Sequence, residues 1–387
     1  MRIMIAAGGT GGHVYPALAV AEAIHERRPE IALTFVGGVD DFARPLVEEA
    51  KLPFEHLDQV RSGPLHGVSL GKALISAVQL TLGTLQAILL VRRRKPSSLL
   101  LTGGWVGLPV ALAGRVWGVP SLIYLPDIEP GLTIKVLKYI ANRVAVTAQE
   151  SQAYFSQKQM IVTGYPLRRA LIHAREHSGR EQGLAHFKLD SARKTLLVFG
   201  GSRGARSINT ALLGILSDLL EHPVQVIHIT GTLDWEQIAA QRETMTAAQP
   251  EKMAHYHAFP YLHDDMALAL ACADLVVSRS GASVLGEFPA FGLASILVPY
   301  PYAWRYQKVN ADYLAERGAA VVLRDEAMSS ELLPLIRQLL FDQPDKLRLM
   351  REKSAALVQS KTGDTASLDD GAWNVARELI RLSGESA

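Results

Sequence analysis

Cysteine is nearly missing from this chain: Cys272 is the one cysteine among 387 residues. A single cysteine excludes an internal disulfide and a zinc site built from cysteines alone, and it fits a protein of the reducing cytoplasm. An excess of charge of one sign is missing too, because Lys and Arg number 40 and Asp and Glu number 38. The net charge of +2 argues against a general nucleic-acid-binding protein, which normally carries a strong basic excess. We therefore expect no nucleic-acid partner.

The marks of disorder and of secretion are also missing. The composition is 48% hydrophobic and 20% charged, so the chain can bury a sizeable core. Its 387 residues are enough for two domains of ordinary size. Met1 and Arg2 lead directly into an apolar run and a glycine-rich loop, without the cleavage pattern of a signal peptide. The sequence therefore predicts a two-domain globular protein without a secretory leader.

One long uncharged run, residues 73–91, is followed by four basic residues, 92–95. Its length and its basic flank meet the loose criterion for a transmembrane helix. Its polar residues recur every three or four positions, however, and its large apolar residues recur on another face. This pattern predicts an amphipathic helix, and a membrane span would also cut the first α/β domain in two. The predicted apolar stripe consists of Leu74, Val78, Leu82, Leu85 and Leu89.

Two glycine-rich loops are the strongest motifs of the chain. Residues 8–13 (GGTGGH) follow the apolar run 3–7, and residues 200–205 (GGSRGA), about 190 positions later, follow the apolar run 196–199. Each pattern predicts a buried strand, a tight turn and a helix start, where glycines admit a ligand close to the backbone and free N–H groups bind an anion. Two such loops predict two Rossmann-like domains with a phosphate-bearing ligand between them.

Strand-like and helix-like segments alternate in both halves of the chain, which predicts an α/β fold of parallel sheets with helices on both faces. We predict a first domain over residues 1–163 and a second over 164–360. A linker at 360–370 then leads to a final helix within 371–387 that packs back on the first domain. The first helix is predicted over 16–27. The predicted strands are residues 2–7, 31–37, 54–57, 98–102, 121–125 and 144–147, and then 196–199, 224–229, 255–258, 275–277, 294–298 and 320–323.

Three side chains are the main candidates for chemistry. His13 closes the first loop at a predicted helix N-terminus, whose dipole favours the neutral imidazole of a general base or hydrogen-bond donor; a plain helix cap is the alternative. Asp127 follows the strand at 121–125, together with Glu129; it is either a base or merely a turn residue, and the flanking Pro126 and Pro130 favour the turn residue. Glu287 is predicted about two turns into a helix after the turn at 280–283. Its carboxylate there either accepts both hydroxyls of a ribose or lies solvated on the helix surface.

Other charged residues are weaker candidates. Arg168 and Arg279 suit a diphosphate, because guanidinium groups bind phosphates through two hydrogen bonds, but for each arginine in isolation the structural interpretation is favoured. Asp264 and Asp265 allow a metal pair, although an N-cap before a helix is the favoured interpretation. Because the sequence has no clear ligand cluster, we expect no tightly bound divalent metal and no other cofactor.

Taken together, these motifs resemble those of the MurG family, the UDP-GlcNAc:lipid I N-acetylglucosaminyltransferases of glycosyltransferase family 28. The resemblance covers nearly the whole chain, with the motifs in order and sensibly spaced. The matching segments are residues 8–19, 103–107, 164–168, 200–209, 264–266 and 278–282, with Glu287.

The resemblance implies a GT-B fold, in which two Rossmann-like domains with parallel sheets face each other across a cleft. The C-terminal domain would hold UDP-GlcNAc, and the N-terminal domain would face the membrane and the lipid acceptor. The implied reaction is inverting transfer of GlcNAc to the C4 hydroxyl of MurNAc in lipid I (undecaprenyl-pyrophosphoryl-MurNAc-pentapeptide), in peptidoglycan synthesis. The enzyme would be peripheral at the cytoplasmic face of the cell membrane. The apolar helix and the basic run 92–95 would dock it on the anionic inner leaflet.

The resemblance also assigns roles to residues by matching position. On the acceptor side, His13 is the best candidate for the base, with Asp127 as the second. The same side of the site would include Thr10, Gly11 and Gly12. On the donor side, the implied contacts are Ser202 and Arg168 with the phosphates or sugar, Glu287 with the ribose, the His263 backbone with uracil, and Gln307 with the GlcNAc hydroxyls. The implied phosphate-binding turn consists of Ala282, Ser283, Val284, Leu285 and Gly286.

Two departures from the family pattern leave the substrates open. Residues 124–127 are Tyr-Leu-Pro-Asp where the family has His-Glu-Gln-Asn, so a sugar-binding asparagine becomes Asp127, which cannot donate a hydrogen bond as asparagine does. Tyr306 replaces the first of two paired glutamines, and Gln307 remains. The alternatives are a related transferase with another UDP-sugar or acceptor, and a non-catalytic nucleotide-binding scaffold of the cell-wall machinery. A nicotinamide dehydrogenase is disfavoured, because its fingerprint spaces the glycines differently.

Overall fold

The computed structural model describes residues 1–39, 43–201, 204–301, 306–359 and 370–385. Ser202 and the predicted linker at 360–370, apart from Asp370, therefore lie outside the described residues. The chain forms two compact units. The first unit comprises Met1–Arg168 and the C-terminal segment that contains Gly371–Leu382, and the second unit begins at Arg169. Each unit is built on one parallel sheet, so the predicted α/β fold class is confirmed.

Seven parallel strands form the sheet of the first unit within the described residues. They are β1 (Arg2–Ala6), β2 (Ala32–Gly38), β3 (Phe54–Val60), β4 (Ser98–Leu101), β5 (Ser121–Leu125), β6 (Arg143–Val146) and β7 (Met160–Val162). The order across the sheet is β3-β2-β1-β4-β5-β6-β7. The order reverses at β1, where Ile3 is opposite Leu33 of β2 on one side and Ser98 of β4 on the other. Such a reversal opens a crevice at the carboxyl ends of the two central strands, where ligands of this fold class bind.

Six parallel strands form the sheet of the second unit, again within the described residues. They are β8 (Lys194–Phe199), β9 (Val224–Ile229), β10 (Tyr256–Phe259), β11 (Leu275–Ser278), β12 (Ala294–Leu297) and β13 (Ala320–Val322). Their order is β10-β9-β8-β11-β12-β13, so the reversal falls between β8 and β11. The second glycine-rich loop follows β8 and therefore lies at this reversal.

Helices follow most strands and cover both faces of each sheet. In the first unit they are α1 (Gly11–Arg27), α2 (Ala43–Glu49), α3 (Leu70–Arg94), α4 (Gly107–Trp117) and α5 (Leu132–Leu137). In the second unit they are α6 (Arg169–His173), α7 (Gly179–His186), α8 (Arg206–Leu219), α9 (Trp235–Ala248), α10 (Pro250–Met253), α11 (Met266–Cys272), α12 (Glu287–Ala290), α13 (Tyr306–Glu316), α14 (Met328–Arg337) and α15 (Pro344–Gln359). The last helix of the chain is α16 (Gly371–Leu382).

The core of the first unit has one layer on each face of the sheet. Side chains alternate along β1, so Ile3 and Ile5 pack on one face and Met4 and Ala6 on the other. The face with Ile3 is covered by α1, α2 and α16, and the opposite face by α3, α4 and α5. Helix α16 buries its apolar stripe beside α1, and the side-chain amide of Asn374 donates to the Thr163 carbonyl at 3.0 Å.

Helix α3 buries one side against the first unit, with Leu80, Leu90 and Val91 among its buried residues, and exposes a second set of large apolar residues. Its buried side includes Ser76, Gly83 and Ala87, and a Cβ at residue 83 would overlap the carbonyl oxygen of Arg61. Among the described residues, α3 is the one helix long and apolar enough to cross a membrane, with a mean hydropathy of 1.9. It connects β3 and β4 of one sheet, and a third of its apolar window is buried. Helix α3 is therefore a crossover helix of the first unit.

Candidate active site

The crevice of the first unit is formed by two glycine clusters in backbone contact. The loop after β1 meets the turn after β4, in which Gly103 and Gly104 have φ angles of +133° and +76°. A Cβ on Gly104 would lie 2.6 Å from the carbonyl oxygen of Gly8. Only glycine combines these φ angles with so close an approach. The glycine-rich loop at 8–13 and the glycines at 103–104, about 95 residues later in the sequence, are therefore two walls of one site.

His13 lies inside the first turn of α1 and packs against the second wall. A Cβ on Gly103 would overlap Cδ2 of the imidazole and come within 2.8 Å of its Cγ and Nε2 atoms. The Nδ1 atom lies 3.5 Å from Oγ1 of Thr10, which is extended and precedes the helix. The imidazole is half-buried and the Thr10 side chain is exposed. The ring is thus held by backbone, and it stands where helix N–H groups favour an anion.

The start of α1 differs from the prediction of a helix over 16–27. The helix begins at Gly11, because the carbonyl of Thr10 already accepts from the N–H of Val14 at 3.2 Å. A helix over 16–27 would begin at Pro16, and proline favours the first helical position. In the structure, Pro16 is instead an internal residue of α1. Gly11 and Gly12 therefore supply first-turn N–H groups rather than loop groups.

Arg168 lies beside the same helix N-terminus. Its guanidinium is stacked over the ring of Tyr15 at 4.4 Å, and a Cβ on Gly11 would lie 3.0 Å from Cε2 of that ring. The buried Nε atom of Arg168 has no hydrogen-bond partner among the described residues. A cation therefore stands beside the first turn of α1, whereas the family resemblance implies a contact of Arg168 with the donor.

Asp127 is presented by a rigid turn between β5 and α5. Of residues 124–130, Asp127 alone is not buried. The buried carboxylate of Glu129 pairs with the ammonium of Lys135 at 3.2 Å. Because β1, β4 and β5 are consecutive in the sheet, the ends that carry His13 and Asp127 are about 10 Å apart, at two strand spacings. Both candidate bases therefore lie on the carboxyl edge of one sheet.

The turn after β11 in the second unit differs in detail from the sequence expectation. Residues Ala282–Leu285 form a 3-10 turn, and Glu287 is the first residue of α12 rather than two turns into a helix. The Glu287 side chain is buried, which excludes a solvated carboxylate. The N–H groups of Val284 and Gly286 donate to carbonyls within the turn. The number of N–H groups that this turn can offer to a phosphate is therefore smaller than predicted, because the N–H groups of Val284 and Gly286 already donate to carbonyls.

Gln307 and the turn after β11 are tied together. The hydroxyl of Ser280 donates to the Gln307 carbonyl at 2.7 Å, and the amide of Asn310 donates to the Ser280 carbonyl at 3.1 Å. The side-chain oxygen of Gln307 accepts from the N–H of Tyr300 at 2.9 Å. Since that oxygen is engaged, Gln307 can offer a ligand its amide hydrogens. The exposed ring of His263 lies 4.7 Å from the ring of Tyr261. The backbone carbonyl of His263 accepts a hydrogen bond from the N–H of Met266.

Arg279 has a structural role within the second unit. Its guanidinium is 8% exposed and pairs with Asp325, and it donates to the hydroxyl of Ser207 at 2.7 Å and to the carbonyl of Val298 at 3.1 Å. Its charge and its hydrogen bonds are satisfied by these groups. Of the two interpretations of Arg279, the structure supports the structural one.

A buried polar network, which no sequence pattern predicts, supports the second glycine-rich loop. Asn209 donates to Thr230 O and to Asp234, so its side-chain oxygen accepts from Nε2 of His228 at 2.9 Å. The hydroxyl of Tyr256 must then donate to Nδ1 of His228 at 2.7 Å. Burial lowers the pKa of His228 to about 3, so the ring stays neutral. The network fixes the start of α8 beside the glycine loop.

A metal centre is not indicated by the described part of the chain, which contains no group of three or more His, Cys, Asp or Glu suited to a metal ion. Asp265 is the N-cap residue of α11, and its carboxylate lies 3.4 Å from Nε2 of His186.

Two Rossmann-like units in one chain, each with a glycine-rich loop at the reversal of its strand order, define a GT-B fold. Solved structures with this fold include MurG of Acinetobacter baumannii, with a TM-score of 0.72 and 24% identity over 98% of this chain and 99% of that one. A UDP-GlcNAc 2-epimerase from Neisseria meningitidis has a TM-score of 0.68 at 11% identity, over 98% of this chain and all of that one. These similarities concern the fold.

Sequence comparison identifies the family. Residues 3–146 match the glycosyltransferase family 28 N-terminal domain, and residues 195–366 match the family 28 C-terminal domain. A UDP-N-acetylglucosamine–N-acetylmuramyl-(pentapeptide) pyrophosphoryl-undecaprenol N-acetylglucosamine transferase of Desulforudis audaxviator is 38% identical, over 94% of this chain and 96% of that protein. The Roseiflexus enzyme of the same name is 37% identical, over 93% and 92% of the two chains. The chain belongs to glycosyltransferase family 28 and, within it, to the MurG family, which confirms the resemblance.

Proposed function

We propose that this enzyme transfers GlcNAc from UDP-GlcNAc to the C4 hydroxyl of MurNAc in lipid I and thereby makes lipid II for peptidoglycan. The observation that carries the proposal is the match to transferases of that name over more than nine tenths of both chains. The first turn of α1 in the glycine-rich crevice of the first unit supports the proposal, because helix N–H groups favour the anionic diphosphate of an acceptor.

The proposed chemistry is a single inverting displacement. The C4 hydroxyl oxygen bonds to the anomeric carbon of GlcNAc, the bond from that carbon to the UDP oxygen breaks, and the hydroxyl proton passes to a base. His13 is the proposed base, with Asp127 as the second candidate. The N–H groups of Gly11 and Gly12 stabilise the acceptor diphosphate. The N–H groups of the turn at 282–286 other than those of Val284 and Gly286 stabilise the charge that develops on UDP.

We propose the domain roles that the family resemblance implies: residues 1–163 bind the acceptor and face the membrane, and residues 164–360 bind the donor. Glu287 accepts hydrogen bonds from the ribose hydroxyls, and its burial supports this role because a carboxylate that is withheld from water keeps strong hydrogen bonds. Gln307 donates to GlcNAc through its amide. The backbone of His263 meets uracil, and Ser202 and Arg168 contact the donor phosphates.

The function is tested by incubating the purified protein with UDP-GlcNAc and a lipid I analogue, and by following UDP release and product mass. We expect one GlcNAc mass added per UDP released. Glu287→Ala should raise the KM for UDP-GlcNAc by about 10- to 100-fold, the range for loss of hydrogen bonds to a charged group. Glu316→Ala, at the exposed end of α13, is the matched control. UDP binding without turnover, or turnover only with another UDP-sugar, would contradict the proposal.

We propose further that the enzyme docks on a membrane through the exposed stripe of α3. Leu74 and Leu89, at its two ends, are 70% and 66% exposed, and the stripe between them is about 22 Å long at the rise of an α-helix. The guanidinium of Arg92 stacks over the exposed Trp117 at 5.7 Å, where the stripe meets the basic run. An apolar stripe next to cations is typical of peripheral binding to an anionic leaflet. This docking would place the enzyme at the cytoplasmic face.

Replacing Leu85 and Leu89 together by glutamate should weaken binding to vesicles that contain phosphatidylglycerol by at least about 100-fold, because each buried leucine contributes about 2 kcal/mol. Co-sedimentation with vesicles measures the effect. The matched control is Leu349→Glu in α15, which replaces a leucine of similar exposure, 52% against 57% for Leu85. Unchanged vesicle binding by the double variant would refute the docking surface.

A further inference from the structure

The turn that carries Asp127 is fixed by two buried hydroxyl groups on either side of it. Oγ1 of Thr147 donates to the carbonyl of Pro126 at 2.9 Å, and Oγ of Ser151 donates to the carbonyl of Ile128 at 2.9 Å. Both hydroxyl residues follow β6, the neighbouring strand. Both are buried, so water does not compete for these bonds. The peptide group that joins Pro126 to Asp127 and the one that joins Ile128 to Glu129 are therefore each held by a side chain from another element.

The direction of each hydrogen bond on the Pro126 side follows from the number of protons. The hydroxyl of Tyr124 lies 2.8 Å from Oγ1 of Thr147. The single proton of the Thr147 hydroxyl goes to the Pro126 carbonyl, so the Tyr124 hydroxyl must donate to Thr147. Burial raises the pKa of Tyr124 well above its ordinary value, and the charge of Asp127 raises it further. The phenol therefore keeps its proton, and the chain Tyr124–Thr147–Pro126 has one arrangement.

These bonds restrict a turn that is already stiff. Pro126 and Pro130 lie at its two ends, and proline fixes φ near −65°. The side chains of the other turn residues are buried, and Asp127 alone is partly exposed at the carboxyl edge of the sheet. Ordinary surface loops tolerate movement, whereas this turn is held at several points and exposes one side chain. The constraints on the turn therefore suggest a function for Asp127. Preorganised carboxylates of this kind are typical of reaction sites.

We propose that Thr147 and Ser151, supported by Tyr124, are positioning residues that hold the Asp127 carboxylate against the reacting sugars. The inference rests on the proposed function, and it assigns a use to the departure from asparagine at this position. Because the hydroxyls fix an orientation rather than bind a substrate, their loss should lower kcat and leave KM nearly unchanged. Misplacement of a reacting group by about 1 Å costs about 100-fold in rate.

The test compares Thr147→Val with Thr147→Ser, in the natural background and in the Asp127→Asn background. Valine keeps the shape of threonine but removes the hydroxyl, whereas serine keeps the hydroxyl. We expect Thr147→Val to lower kcat by about 10- to 100-fold with the KM for UDP-GlcNAc within about twofold of the natural value, and Thr147→Ser to restore most of the rate. In the Asp127→Asn background, Thr147→Val should cause no further loss.

The inference would be overturned if the losses of kcat caused by Thr147→Val and by Asp127→Asn were independent of each other. If Thr147→Val lowers kcat by the same factor with and without Asp127→Asn, the hydroxyl acts on something else, and if Asp127→Asn leaves kcat unchanged, there is nothing to position. Ser151→Ala, which removes one hydroxyl and no other atom, gives the same test if Thr147→Val does not fold. If the unsubstituted protein has no transferase activity, the proposed function itself is contradicted. Failure of the proposed function and failure of this inference are therefore distinguishable.

Discussion

Replacing His13 by alanine is expected to lower kcat by about 10²- to 10⁴-fold, the range for loss of a general base. The imidazole is the titratable group that the backbone of Gly103 and the first turn of α1 hold in the glycine-rich crevice. Alanine keeps the helix, because it has the highest helix propensity. Initial rates of UDP release at saturating UDP-GlcNAc and lipid I analogue measure the effect.

His25→Ala is the matched control for this variant. His25 lies in the last turn of the same helix, α1, and its side chain is exposed. It should keep kcat within about twofold, since exposed surface substitutions have small effects. A loss of less than about threefold in His13→Ala would remove His13 from the role of base. Asp127→Asn, measured beside it, would then decide whether Asp127 takes that role.

Gly103→Ala is expected to lower kcat by about 100-fold or more although it introduces no charge and removes no functional group. The new Cβ would overlap Cδ2 of His13 and come within 2.8 Å of Cγ and Nε2. The backbone at Gly103 has a φ of +133°, so it cannot relax easily to make room. The imidazole must therefore move. The binding of UDP, measured by calorimetry, should persist because the proposed donor residues Glu287 and Gln307 lie in the second unit.

Gly118→Ala separates this effect from backbone strain. Gly118 caps α4 with a φ of +68°, and nothing lies within 4 Å of a Cβ placed there. The variant should lose about 1–2 kcal/mol of stability, the cost of a left-handed alanine, and keep its kcat. If Gly103→Ala and Gly118→Ala lower kcat equally, the loss comes from unfolding of the first unit rather than from displacement of His13.

The central strands could be predicted from sequence because they are buried on both faces and therefore form nearly continuous apolar runs. The final helix, predicted within residues 371–387, is Gly371–Leu382 in the structure. The strand predicted at 54–57 instead extends to Val60, because β3 is an edge strand whose side chains alternate between buried and exposed. Because Asp58 and Gln59 are polar, the apolar pattern did not predict that the strand continues to Val60.

Parts of the candidate site could not be predicted, because they depend on contacts between distant segments. Glycine patterns indicated two anion-binding turns, but only the fold brings Gly103 against His13. The 3-10 turn before Glu287 depends on local backbone angles, which a helical pattern does not reveal. The hydroxyl of Thr147 and the ring of His228 are buried polar groups within apolar segments, and their partners come from other strands. No periodicity in the sequence identifies such partners.

The close approach of Gly83 to the Arg61 carbonyl has a further consequence for α3. Successive residues of a helix are rotated by about 100°, so a helix that turned by one residue would present a different side to the solvent. The absence of a side chain at residue 83 lets the helix touch the loop after β3 in one rotational setting. In that setting the leucines of the stripe point away from the sheet. The absence of a Cβ at Gly83 thus determines which side of α3 presents its apolar residues to the surroundings.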